Sequence, residues 1–209
     1  VDRLESLVAD LPGAIAIQAD LSEAEDRERL ASEAERLAGP VQILVNNAGI
    51  GGVGGIETEE LDLFRRVMEL NVTAVWHLSK LCAPAMIAAG GGSIINIASM
   101  LGHVGATPVK QANYCASKGA VVNLTREMAL QWARKSVTVN ALCPGWFPSE
   151  MTEGMESDEG SQRFITANSP IPRMGEAHEL DGALLLLASA AGTFITGQSL
   201  IVDGGWTAR

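Results

Sequence analysis

The chain holds 209 residues, 47% hydrophobic and 19% charged, which suits one globular domain of ordinary size and excludes intrinsic disorder. Its 15 basic and 25 acidic residues leave a formal net charge of −10, and the densest basic stretch, residues 126–135, is diluted by Glu127 and apolar side chains. Such a field repels phosphate backbones and anionic membrane surfaces, so nucleic-acid and membrane binding are set aside.

The longest weakly polar stretch, residues 182–197, is shorter than the ~20 residues a bilayer requires. Asp2 and Glu5 stand where a signal peptide would be basic, so a cytoplasmic protein is expected. Cys82, Cys115 and Cys143 are odd in number and lack C-x-x-C spacing, and His77, His103 and His178 lie far apart. Neither a disulfide framework nor a metal site is expected.

In chain order, residues 4–9 read as a short helix and residues 14–18 as a first strand. A second helix over 23–37 follows a Ser22-x-x-Glu25 capping box. A strand over 41–46 precedes a helix over roughly 59–89. A strand over 92–97 precedes a helix over roughly 112–135. A strand over 137–142, a helix over 177–190 and a strand over 199–202 complete the pattern. Most strands are apolar throughout, as expected when helices cover both faces of a parallel sheet. Strand alternating with helix implies a doubly wound α/β fold, Rossmann-like and three-layered.

Gly49-Ile50-Gly51-Gly52-Val53-Gly54 satisfies G-x-G-x-x-G after a strand. Five glycines among residues 49–55 satisfy that pattern easily, and the next helix begins only near Glu59, so the segment is read as a flexible loop.

Tyr114 and Lys118 are spaced i, i+4 at the start of a helix, which puts a phenol and an ammonium on one face. A neighbouring cation favours phenolate, so Lys118 is expected to lower the Tyr114 pKa toward that of a usable base. Ser99 closes the strand over 92–97 at the carboxyl edge, where ligands collect in open α/β sheets. Its hydroxyl and the Tyr114 phenol can converge on one oxygen.

Asp20-Leu21, Asn46-Asn47-Ala48-Gly49, Asn71 in Glu69-Leu70-Asn71-Val72, Ser99, Tyr114-x-x-x-Lys118, Pro144-Gly145, Ile195-Thr196-Gly197 and Asp203-Gly204-Gly205 occur in order. Together they resemble the classical short-chain dehydrogenase/reductase family. The resemblance implies an oxidoreductase passing hydride between NAD or NADP and a secondary alcohol or ketone: a sugar or polyol, a 3-oxoacyl thioester or a similar carbonyl. It implies that Tyr114 exchanges the proton, Lys118 tunes it and holds the nicotinamide ribose, Ser99 positions the substrate oxygen and Asn71 supports a water relay. For the cofactor it implies Asp20 and Leu21 at the adenine, Asn47, Ala48 and Gly49 at the adenosine ribose, and Tyr114 as a contact together with Lys118. Pro144, Gly145, Phe147 and Ser149 would lie beside the nicotinamide.

The resemblance also implies a homotetramer, or failing that a dimer, and a substrate lid over residues 150–173. His103 and Lys110, between Ser99 and Tyr114, are read as solvated loop residues, with contact to substrate as the alternative. The family opens with a strand, a glycine-rich turn for the pyrophosphate and a second strand, none of which is present, so a single domain with its first two strands absent is expected. A noncatalytic interaction or assembly subunit of the same fold is the alternative that this absence raises.

Overall fold

The structure, a computed structural model, describes residues 2–208. Its elements in chain order are α1 (Asp2–Asp10), α2 (Ala24–Ala38), β1 (Ile43–Asn46), α3 (Leu61–Met68), α4 (Ala74–Ala88), β2 (Gly92–Ile97), α5 (Ala112–Trp132), β3 (Val137–Pro144), α6 (Glu159–Asn168), α7 (Asp181–Ala188) and β4 (Ser199–Val202). One π-helical turn, Glu69–Thr73, joins α3 to α4.

The strands form one parallel sheet in the order β1-β2-β3-β4, with Asn46 opposite Asn96, Ile97 opposite Leu142 and Ala141 opposite Ser199. Successive strand side chains point to opposite faces. Ile94 and Val139 accordingly pack with Cys82, Met86 and Met128 of α4 and α5, while Ile95 and Leu142 pack with Leu187 of α7. At β2 and β3 both faces are covered, which is why those strands read as unbroken apolar runs. The fold is Rossmann-like, and its parallel strands bring their carboxyl ends to one edge.

A polar ladder crosses this core. The Asn46 amide donates to Asn96 Oδ1 at 2.9 Å and the Asn96 amide donates to Thr125 Oγ1 at 2.9 Å, so these buried asparagines are linked to α5. Asn140 donates to the Ile195 carbonyl at 2.7 Å and accepts from Gln198 N–H at 3.1 Å, which sets β4 beside β3.

Residues 14–18 were expected to form a strand and form none. Ile15 is 52% exposed, and β1 is the edge of the sheet among the described residues. A strand exists through its ladder, and no neighbour supplies one there. The expected capping box also fails: Glu23 is the N-cap of α2 without a side-chain cap, while the Ser22 hydroxyl donates to Asp20 Oδ1 at 2.7 Å. The nearer carboxylate takes the serine. Residues 150–173, expected as a lid, contain α6, capped by Asp158 accepting from Ser161 N–H at 2.7 Å.

Candidate active site

Ser99 lies just beyond β2 and caps a 3-10 turn, its hydroxyl accepting from Leu101 N–H at 3.1 Å. Tyr114 and Lys118 occupy the first turns of α5, whose body packs on β3. Lys118 is 3% exposed; its Nζ donates to the Ile97 carbonyl at 2.8 Å and lies 5.5 Å from the Tyr114 ring centroid.

Asn71 sits in the π turn, 1% exposed, and its amide reaches two elements. Its Oδ1 accepts from Ile50 N–H at 2.9 Å, and its Nδ2 donates to the Ile50 carbonyl at 2.8 Å and to Ser117 Oγ at 2.9 Å. Ser117 donates in turn to the Tyr114 carbonyl at 2.8 Å. A π turn inserts one residue and re-aims the side chains beyond it, a device common at functional sites.

Gly49 closes the group. A Cβ there would lie 3.2 Å from Asn71 Oδ1 and 3.4 Å from Lys118 Nζ, so only a bare backbone approaches both without displacing them. The next glycines along the chain are clamped rather than free: Gly51 packs on the Tyr114 ring, Asn113 bonds both Gly52 N–H and its carbonyl, and Gly54 bridges to Gln111. The expected flexible loop is therefore a packed one. Asn113, also bonded to Glu59, was missed by the sequence reading, although it directly precedes Tyr114.

The electrostatics differ from the expectation. Burial pushes the Tyr114 phenol above its ordinary value, with a hydrogen bond from Ser99 pulling the other way. Burial likewise drives the Lys118 ammonium down to about 8. Lys118 does not lower the Tyr114 pKa on balance, because desolvation dominates and its ammonium is spent on the Ile97 carbonyl.

The remaining expected positions fall around the same edge. Asn47 and Ala48 are exposed just past β1, and Asp20 and Leu21 precede α2, Asp20 being held below the usual carboxylate range by two hydrogen bonds from Ser22. Pro144 ends β3, and Gly145 donates to the Val202 carbonyl at 2.8 Å, where a Cβ would strike Asp203. The Phe147 ring is buried beneath Gly175, and Ser149 pairs with Thr152 in a capping box, so both brace the start of residues 150–173. Lys110 faces Glu57 at 3.9 Å, and His103, an exposed residue, places Nε2 3.6 Å from Cys143 Sγ.

Beside this group lies a cavity of about 320 Å³ lined by Leu101, Gln111, Trp146, Phe164, Asn168 and Trp206 among others. Leu101, Gln111 and Trp146 belong to the segments that carry Ser99, Tyr114 and Gly145. Trp146, Phe164 and Trp206 meet edge to face or tilted, with centroids 5.6 to 6.4 Å apart. Trp206 was missed because only the fold brings residue 206 to residue 146.

A hydroxyl, a phenol and a buried lysine at the carboxyl edge of a Rossmann-like sheet suit a nicotinamide-dependent oxidoreductase. Comparison with known proteins agrees. A family model described as enoyl-(acyl carrier protein) reductase matches residues 1–207. Galactitol 2-dehydrogenase (L-tagatose-forming) of Cereibacter sphaeroides is 42% identical over 98% of this chain and 81% of its own length. Gluconate 5-dehydrogenase of Gluconobacter oxydans is 40% identical over 83% of this chain and 67% of its own. The crystal structure of a gluconate 5-dehydrogenase from Burkholderia cenocepacia in complex with NADP and tartrate superposes with a TM-score of 0.90 at 35% identity, covering 100% of this chain and 81% of that one. The chain belongs to the short-chain dehydrogenase/reductase family and is an NAD(P)-dependent dehydrogenase acting on a secondary alcohol or its ketone.

Proposed function

We propose that this dehydrogenase interconverts an uncharged polyol and its ketose, with Tyr114 exchanging the proton on the reacting oxygen. The convergence of Ser99, Tyr114, Lys118, Asn71 and Gly49 on one sheet edge carries this reading. Ser99 holds the substrate oxygen. Lys118, held on the Ile97 carbonyl beside the Tyr114 ring, holds the nicotinamide ribose, and Asn71 supports a water relay that returns the proton to solvent. The cofactor, when bound, supplies the hydride chemistry; the chain supplies orientation and electrostatics.

The residues fit a nicotinamide dinucleotide. The bare backbone of Gly49 lets Asn71 and Lys118 keep their places beside it, and Asp20 offers an exposed carboxylate at the adenine end. Asn47, Ala48, Pro144 and Gly145 line the same edge, while Phe147 and Ser149 serve it from behind. NAD and NADP are both compatible.

The aromatic cavity supports the substrate class. Aromatic faces suit the C–H surfaces of a polyol, Gln111, Asn168 and Thr107 suit its hydroxyls, and no Lys, Arg or His lines the cavity among the described residues. The relatives' names span both neutral and acidic sugars, and this lining favours the neutral ones. The test is enzyme-dependent change in NADH or NADPH absorbance across polyols, ketoses and aldonates; absence of turnover on every neutral member would refute the assignment.

Further strands pairing with β1 and carrying the pyrophosphate turn extend the same reading. Ile43 and Val45 are 48% and 39% exposed on the open edge, Asn46 Oδ1 is buried without a partner, and an apolar groove of about 370 Å³ runs beside β1. Amide exchange at Val45 tests this: protection in the active protein supports pairing, and rapid exchange opposes it. A homotetramer is supported by Trp76 and Leu130, exposed on α4 and α5, and a reducing, cytoplasmic setting by three free cysteines.

A further inference from the structure

Arg27 is one of two charged side chains as deeply buried as 3% among the described residues; the other, Lys118, already has its place in the site. A buried guanidinium is costly unless its donors are matched, and Arg27 matches them on three separate segments. Its Nη1 donates to the Leu21 carbonyl at 2.7 Å and to Glu69 Oε1 at 2.9 Å, and its Nε donates to His77 Nδ1 at 3.1 Å. Leu21 lies in the loop before α2, Glu69 opens the π turn that holds Asn71, and His77 belongs to α4. A cation in the first turn of a helix opposes the helix dipole, so helix stability does not account for this arginine.

We propose that Arg27 is a positioning residue for the cofactor: it locks the Asp20-Leu21 loop onto the π turn so that the adenosine half meets a preformed surface. The inference rests on the reading of Asp20 and Leu21 as the adenine contact. Arg29 supports the same loop by donating to the Gln18 carbonyl at 2.7 Å, but from an exposed position. Arg27 joins the loop to the segment that carries Asn71, through the Leu21 carbonyl and Glu69.

The lock also specifies a protonation state. Arginine has no acceptor, so His77 must present a bare Nδ1 and carry its proton on Nε2, which faces Glu28 Oε1 at 3.8 Å. The charged groups around His77 are Arg27 and Glu28 of α2, Glu69 of the π turn through Arg27, and Lys80 of its own helix, whose Nζ lies over Trp76. Protonating His77 would set donor against donor and add a second cation beside the guanidinium. Acid therefore loosens the lock.

Binding of two cofactor fragments, AMP and nicotinamide mononucleotide, by the purified protein separates the ideas. Arg27→Met should weaken AMP about tenfold, the cost of losing hydrogen bonds to a charged group, and leave nicotinamide mononucleotide within about twofold. His77→Gln keeps an acceptor for Arg27 and cannot titrate. As pH falls, wild-type protein should lose AMP affinity relative to this variant. Equal AMP binding by wild type and Arg27→Met, or equal loss of both fragments, overturns the inference while leaving the dehydrogenase reading intact. Identical pH profiles for wild type and His77→Gln overturn it even if Arg27→Met fails to fold. Wild-type protein that binds neither fragment would instead defeat the reading on which the inference rests.

Discussion

Asn71, Lys118 and Ser99 are 1%, 3% and 7% exposed and spend their polar atoms on backbone or on buried neighbours, whereas residues 150–173 are held largely by exposed side-chain bonds and one aromatic cluster. The first group stands on a sheet edge and a helix start; the second bridges β3 and α7. The contrast separates chemistry from selection. A proton must be passed within a few tenths of an ångström of the right place, so its carriers are fixed by the scaffold. Substrate shape is read by a segment that can change without disturbing them.

If that division holds, the greatest loss comes from one oxygen on the fixed side. Tyr114→Phe keeps the ring on Gly51 and removes only the hydroxyl. It should reduce kcat by about 1,000-fold, within the range general acid–base groups contribute, while cofactor binding stays near wild type. Single-turnover absorbance with bound cofactor measures it. Retained turnover would move the proton exchange to another group and erase the distinction between the two regions.

The fixed side should also bear a cost in stability. Lys118 titrates near 8 in the folded chain against 10.5 ordinarily, so the fold disfavours the charged form. The folded pKa is depressed and the group is a base, so the penalty is full below pH 8 and fades as pH rises to 10.5. Lys118→Met should therefore gain about 1 to 3 kcal/mol at pH 7 in urea unfolding, lose that gain by about pH 10.5, and lose activity at every pH. A destabilised variant at pH 7 would mean that the bond to Ile97 outweighs burial.

Much of this was legible before any coordinates, for a reason tied to particular residues. The strand over 92–97 is bounded by glycines and by a serine, and its apolar run is long enough to be placed to the residue; the topology then puts Ser99 and Tyr114 on one edge. What escaped depends on partners distant in sequence. Residues 14–18 have strand composition but no ladder. The π turn has no local signature in Glu69-Leu70-Asn71-Val72-Thr73. Arg27 looks like any charged helical residue until His77, 50 positions later, closes over it. The direction of the Tyr114 shift was misjudged because spacing reveals a neighbouring charge and says nothing of burial.

On the selecting side, the cavity should prefer neutral ligands moderately. Galactitol or another polyol should exceed gluconate in kcat/KM by about tenfold, since a carboxylate entering the cavity loses water and finds no cation among its described lining. Trp206→Ala should raise KM for the polyol more than it lowers kcat. Preference for gluconate would show that a cation reaches the substrate from outside the cavity; Lys110 and Arg163 adjoin its lining in the chain, and a further candidate is Arg173, which lies with Trp146 in the neighbouring pocket.

The smallest effect concerns that arginine. Arg173 meets Glu179 with two bonds, Nη1 to Oε2 at 2.7 Å and Nη2 to Oε1 at 2.8 Å, on the rim that also includes Trp146 and Phe147. The bonds from Arg173 hold the Glu179 carboxyl down to about 2 from 4.5. A depressed acid contributes stability above its unfolded value and loses it as pH falls, so any benefit of the pair is present above pH 4.5 and gone near pH 2. Both partners are exposed, and salt screens such pairs, so Glu179→Gln should barely move the melting temperature. Its effect should appear in selection: with the guanidinium released, gluconate should gain about twofold to fivefold in kcat/KM relative to the polyol, a gain that added salt removes. Were the variant to alter turnover of both substrates equally, the rim would be acting on the proton-transfer group itself, and the two regions would have to be treated as one.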